Sequence, residues 1–257
     1  MELSKQGKEA VRVEGLSVSF GGRAVIRDQS MHFLRDELSV LVGRSGSGKT
    51  TLLRSLNRLN ECFDDCRTKG NVSVRFDGQW REVHDRALPV EELRRRVGMV
   101  FQTPNVLPAS IRRNLTLPLK LTMNIRGDEA EGRMERALRE AGLWEEVRDR
   151  LSRPAGTLSG GQQQRLCLAR ALALEPDVLL LDEPSASLDY RATKRIEELL
   201  LELRERYALI VVSHSLGQAR RLADRLFVFR EGELAETLSG DILVDEPAFY
   251  EMIEKSF

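Results

Sequence analysis

The octapeptide GRSGSGKT, Gly43 to Thr50, decides how this chain is read, because it fits an eight-residue phosphate-binding loop at every fixed position. Its flanks give the pattern meaning. Leu38 to Val42 before it predicts a short buried strand, and TLLRSLNRLN behind it carries Leu52, Leu53, Leu56 and Leu59 at helical spacing. Glycines at 43, 46 and 48 let the backbone curl with its N–H groups aimed inward, and the helix amino terminus adds partial positive charge. Lys49 is then expected to reach β- and γ-phosphate oxygens, Thr50 to offer its hydroxyl to Mg²⁺, and Thr51 to meet the α-phosphate. Arg44, Ser45 and Ser47 complete the loop.

Working outward, VRVEGLSVSF and MHFLRDELSVLVG alternate as strands, with a turn at Gly21-Gly22, and Asp77-Gly78 joins Asn71–Phe76 to Gln79–Val83 as a hairpin. Arg96 to Phe101 predicts another buried strand, and Arg94 to Arg96 read as a solvated helix face. From Gln102 to about Pro154 the pattern is helical, broken at Pro104, Pro108, Pro118 and Gly127. Beyond it, helices over Gly160–Leu174 and Ala192–Arg206 alternate with strands over Val178–Leu181 and Ala208–Val212, which predicts a parallel sheet covered on both faces. A hairpin about Glu231-Gly232 and a short helix close the chain.

The 257 residues carry 40 Lys plus Arg against 40 Asp plus Glu, so the chain is formally neutral and not built as a general nucleic-acid binder. No apolar run approaches the roughly 18–20 residues of a membrane span. MELSKQGKEA has no apolar segment of the kind a secretory leader needs, so the cytoplasm is the expected compartment. Cys62 and Cys66 have no second Cys or His pair beside them, so zinc is not expected, and with Cys167 they read as reduced thiols.

VLLLDE, Val178 to Glu183, sets two acids at the end of an apolar strand, where a carboxylate is costly unless compensated. At the carboxyl end of a parallel strand Mg²⁺ on Asp182 supplies that compensation, and Glu183 falls near the γ-phosphate as general base toward water.

LSGGQQQR, Leu158 to Arg165, has an N-cap serine, two glycines with open N–H groups and a helix dipole behind them, which together form a second anion site. It resembles the signature motif of ATP-binding cassette (ABC) ATPases, and the resemblance extends over nearly the whole chain. It implies an α/β fold: a P-loop NTPase (RecA-like) core with an antiparallel β-subdomain and a helical insertion subdomain. One ABC domain would span 1–257, divided into 1–102, 103–157 and 158–257. It also implies that Ser159, Gly160, Gly161 and Gln162 meet the γ-phosphate of an ATP held by another subunit. Gln102 resembles the glutamine that approaches Mg²⁺ and the attacking water; in SASLD, Ser185 to Asp189, Asp189 matches the acid of the loop that crosses the dimer. His214 is similar to the switch histidine that holds Glu183 and the water in register. Phe20 is either a core aromatic or the ring that stacks on adenine; His32 and His84 sit beside no such motif.

The resemblance implies ATP and Mg²⁺, a homodimer or a paired ATPase subunit, separate membrane permease subunits and, indirectly, a solute-binding protein. It implies a peripheral position on the cytoplasmic face of the inner membrane. LLRSLNRLNE, LWEEV followed by DRL, and LSGGQQQRLCLARAL are most similar to the ATPases of phosphate importers. Tyr190 in place of Pro, SHS in place of THN, PNVLPAS and the terminal EKSF depart from that pattern, so the alternatives are another cargo or an exporter. A cassette ATPase acting on DNA or ribosomes would be expected to carry a long coiled-coil insertion or a second cassette, neither of which this sequence shows, and a small-molecule P-loop kinase has no need of LSGGQ.

Overall fold

A computed structural model describes residues 8–256. Met1–Gly7, most of the MELSKQGKEA stretch, and the final residue of EKSF lie outside the described residues. The chain begins with long strands β1 (Glu9–Phe20) and β2 (Arg23–Leu34), then β3 (Leu38–Gly43) and helix α1 (Lys49–Ser55). β4 (Cys66–Phe76) and β5 (Gln79–Glu82) follow, then α2 (Val90–Arg96) and β6 (Val97–Val100). Helices α3 (Ile111–Met123), α4 (Gly127–Glu140) and α5 (Trp144–Val147) lead to α6 (Gly160–Leu172) and β7 (Val178–Asp182). The chain ends with α7 (Tyr190–Leu203), β8 (Ala208–Val212), α8 (Leu216–Leu222), β9 (Arg225–Arg230), β10 (Glu233–Ser239), α9 (Asp241–Val244) and α10 (Glu246–Ser256).

The strands form two sheets. One is antiparallel, in the order β2-β1-β4-β5; the other has the order β10-β9-β3-β8-β7-β6 and is parallel except for β10. Every residue of β3, β7 and β8 is buried, as strands covered on both faces must be. Alternation along them splits the core in two. Leu38, Leu179, Leu181, Leu209 and Val211 face the helices α3 to α8, whereas Leu41, Leu180, Ile210 and Val212 face α1 and the antiparallel sheet. Fold class thus agrees with the sequence reading.

Three local expectations are corrected. The helix after the phosphate loop stops at Ser55, because Arg58 takes a left-handed φ of 60° and a 3₁₀ turn over Leu59–Cys62 follows. Asn60, fully inside, caps the loose end by donating to the Thr51 carbonyl at 2.8 Å. Pro118 does not end α3. Its missing N–H costs one hydrogen bond, and the helix is held by the packing of buried Leu115 and Leu119 on either side.

Arg94 to Arg96 are not a solvated face. Arg94 donates to the carbonyls of Asn57 and Arg58, the latter at 3.0 Å. Arg96 lies over the Phe76 ring at 4.8 Å, pairs with Asp77 at 3.0 Å and donates its Nε to Asp177, which Arg35 also meets at 3.4 Å. Burial disfavours the Arg96 charge, yet the hydrogen bonds to Asp77 and Asp177 outweigh it and raise its pKa. This cluster pins the antiparallel sheet to the loop before β7.

Two predictions follow from the packing. Arg96→Ala leaves Asp177, whose side chain is only 15% exposed, short of its main partner, and should cost about 2 kcal/mol in urea unfolding. Cys167 is buried, which pushes its thiol pKa up, whereas Cys62 is exposed. A thiol reagent should therefore label Cys62 first in the native chain and Cys167 only on unfolding, as read by mass spectrometry.

Candidate nucleotide site

Because β3, β8, β7 and β6 run in one direction, their carboxyl ends lie along a single edge of the sheet. Leu41 of β3 and Asp182 of β7 both pair with Val212 of β8, and Val100 of β6 pairs with Leu181. The residues that leave this edge are Gly43 to Thr50, Asp182-Glu183, Ser213-His214 and Phe101-Gln102. Gly46, Lys49, Thr50, Gln102, Glu183 and His214 accordingly wall one cleft of about 380 Å³.

The loop is shaped by its neighbours as well as by its own glycines. Gly48 has a φ of +101°, and a Cβ there would sit 2.7 Å from Ile26 Cδ1 and 2.9 Å from the Val25 carbonyl. Strand β2 therefore packs straight onto the loop, and only glycine fits. Ser47 and Lys49 are buried, while Arg44, Ser45 and Gly46 are exposed at the rim. Lys49 Nζ donates to the carbonyls of Gly43 at 2.7 Å and Arg44 at 3.0 Å. Burial lowers its pKa below the usual lysine range, with the carboxylates of Glu183 and Asp182 pulling the other way. Thr51 opens the first turn of α1 beside Thr50, and both border the cleft.

Opposite the loop, Thr50 Oγ1 donates to Asp182 Oδ1 at 2.9 Å. Glu183 accepts from His214 Nε2 at 2.6 Å on one oxygen and from Gln102 Nε2 at 3.2 Å on the other. Since a carboxylate has no proton to give, Nε2 is the protonated nitrogen of that imidazole. Glu183 also has a left-handed φ of 49°, held by its N–H bond to the Val212 carbonyl at 3.1 Å. Three expected residues from three separated segments, Thr50, Gln102 and His214, thus meet the carboxylate pair.

Other expected residues do not join this cleft. Ser159, Gly160, Gly161, Gln162 and Asp189 line a different cavity, which shares no residue with the first. Ser159 caps α6 in a reciprocal box: its backbone N–H donates to Gln162 Oε1 at 3.0 Å, and its Oγ accepts from the Gln162 N–H at 3.4 Å. Gln162 also donates to Glu146 at 2.7 Å. Asp189 caps α7, accepting from the Ala192 N–H at 2.9 Å. Phe20 stands in neither cavity; its ring meets Phe63 edge-on at 5.7 Å and packs against the core on that side.

Sequence reasoning passed over two buried glutamines. Gln164, 1% exposed, donates to the Phe101 carbonyl at 3.0 Å, one residue before Gln102, and Gln218 lies beside the His214 turn. Spacing could have found Gln218, which falls four residues before buried Leu222, but not Gln164, because Gln163 stands at the same spacing from buried Leu166 and Cys167.

Comparison with known proteins identifies the family. A family model described as ABC transporter matches residues 26–186, well over half of the chain. A curated relative, the phosphate import ATP-binding protein PstB of Shewanella denitrificans, is 43% identical over 93% of this chain and 86% of its own length. Among solved structures, cbiO1 from Clostridium perfringens, part of the ABC transporter complex cbiONQ, superposes with a TM-score of 0.79 at 25% identity, covering 96% of this chain and 95% of that one. The ATP-binding cassette MJ0796, solved as a post-hydrolysis dimer bound to ADP and Pi, gives a TM-score of 0.72 at 28% identity over 89% of this chain and 98% of its own. Among the described residues no helix is long and apolar enough to cross a membrane. The family model over residues 26–186 and the 43% identical relative, matched over most of the chain, make the protein a member of the ABC transporter family and one of its ATPases.

Proposed function

We propose that the chain hydrolyses ATP to power import of inorganic phosphate through separate membrane subunits, working as a dimer at the cytoplasmic face of the membrane. The observation that carries the ATPase chemistry is the meeting of Glu183, His214 and Gln102 opposite Lys49 across one cleft. Phosphate as cargo rests on the likeness to the phosphate import protein named above. Under this reading the cassette is one domain whose parts are 1–102, 103–157 and 158–257.

Thr50 and Asp182, with Gln102 on the wall of the same cleft as Thr50, make a hard-oxygen donor set that fits Mg²⁺ better than a softer ion. No cluster of three His, Cys, Asp or Glu side chains able to hold a metal exists among the described residues, so the nucleotide would have to complete that set. Bound there, the ion would neutralise charge on the β- and γ-phosphate oxygens. Lys49 exchanges its loop carbonyls for phosphate oxygens and brings its positive charge to bear on them. Each Glu183 oxygen has two lone pairs, so the carboxylate keeps His214 and Gln102 and still accepts the proton of an attacking water. His214 and Gln102 fix the direction in which that acceptor points. The separation of the Ser159 turn from the phosphate-loop cleft in one chain supports a site shared between two copies, each lending its Ser159 turn to the other's ATP. Phe20 with Phe63 beside it is the aromatic edge nearest the β1–β2 turn and is assigned to the adenine ring.

Glu183→Gln should retain ATP binding, lose turnover by about 100-fold or more and accumulate a dimer on size-exclusion chromatography with ATP; rapid hydrolysis by that variant excludes the base assignment. Mixing a Lys49→Ala chain with a Ser159→Arg chain should restore about one working site per dimer, whereas independent subunits show no recovery. Reconstituted with its membrane subunits in vesicles, the chain should raise ATP hydrolysis and solute uptake for phosphate and not for sulfate. Equal response to sulfate would remove the cargo reading and leave the ATPase reading standing.

A further inference from the structure

Behind the Glu183–His214 pair lies a third cavity, of about 320 Å³, bounded by the loop after β7 on one side and the loop after β8 on the other. One side chain bridges its walls. Gln218, on α8 and 7% exposed, donates its amide hydrogens to Ser185 Oγ at 2.9 Å and to Glu197 Oε1 at 3.2 Å. Its carbonyl oxygen accepts from Ser213 Oγ at 2.9 Å. The orientation of the amide follows from its partners: the Glu197 carboxylate only accepts, so the NH₂ faces Glu197 and the oxygen must face Ser213. Ser213 is itself 2% exposed, and its Oγ accepts from the Ser215 N–H at 3.1 Å, on the far side of His214. Glu197 is fixed in turn by Arg221 at 2.8 Å.

The consequence is geometric. Ser213 immediately precedes His214, and Ser185 follows Glu183 by two residues. A single carboxamide therefore holds both backbone segments that carry the pair, and the 2.6 Å contact between His214 and Glu183 spans the gap it sets. We propose that Gln218 is a positioning residue for ATP hydrolysis, keeping His214 and Glu183 in mutual register through Ser213 and Ser185. The proposal deepens the reading of Glu183 as the base and rests on it. Gln218 borders the rear cavity and not the nucleotide cleft, so its action is on the chemical step and not on nucleotide affinity.

The test is steady-state ATP hydrolysis by the full chain, with thermal unfolding and binding of a fluorescent ATP analogue measured on each variant. Gln218→Met keeps length and apolar packing but removes all three hydrogen bonds. It should lower kcat about tenfold while KM for ATP stays within about twofold. Gln218→Glu sets two carboxylates against each other and should also lose turnover. Combining it with Glu197→Gln returns an amide opposite a carboxylate with the same volume, and should restore kcat to within about threefold of the parent. This exchange carries the test if Gln218→Met does not fold. Unchanged kcat in Gln218→Met, a loss seen in KM instead of kcat, or failure of the exchange to recover turnover would each overturn the proposal. Glu183→Gln run beside them separates the two ideas: an inactive Glu183→Gln with normal Gln218 variants defeats only the positioning role, and an active Glu183→Gln defeats the base assignment itself.

Discussion

Everything in this molecule depends on the parallel hydrogen-bonded rows of β3, β8, β7 and β6. Their common direction brings four loops from distant parts of the chain to one edge, and their common register ends β3, β7 and β8 within a residue or two of the same row. A one-residue slip in β7 would turn Asp182 away from Thr50 and carry the apolar partners of the strand to the wrong face. The two hydrophobic cores prevent that slip. Each strand alternates between them, so neither face can exchange side chains without exposing a leucine row or burying one in the wrong layer.

Around that fixed edge, polar groups make the finer adjustments. Lys49 is held by loop carbonyls, Glu183 by a histidine and a glutamine from separate loops, and the His214 turn by Ser213 and Ser215. Gln164 does the same one residue before Gln102, since its amide is tied to the Phe101 carbonyl. Lys49, Ser213 and Gln164 are buried and Glu183 is half-buried, where an unmade hydrogen bond is expensive, so the network favours one arrangement of the edge.

The phosphate loop, the acid pair and the serine-glycine turn were legible in the sequence because each needs particular residue types at fixed spacing: glycine where φ is positive, acids after an apolar strand, serine before a helix. The parallel sheet was legible for a similar reason, since strands covered on both faces must read as unbroken apolar runs. Arg96 was not legible, because its partners Asp77 and Asp177 lie 19 and 81 residues away and only the assembled fold joins them. Helix-period spacing also overran the true end of α1 at Ser55, since a left-handed residue at Arg58 leaves no trace in an apolar pattern. Pro118 misled in the opposite sense, because the apolar contacts of α3 outweigh one absent backbone bond. In the site, Gln162, Gln163 and Gln164 look alike as letters; which of them turns inward depends on the contacts made by the other side of the helix.

The left-handed backbone at Glu183 has a consequence for how such a chain can change over time. A side chain with a Cβ is uncomfortable there, so glycine or asparagine would relax the turn and make the folded chain sturdier. Under the reading of Glu183 as the base proposed above, heat tolerance and turnover therefore pull in opposite directions at this one codon. A lineage screened for durability alone would drift toward a robust protein that clasps its fuel and never burns it.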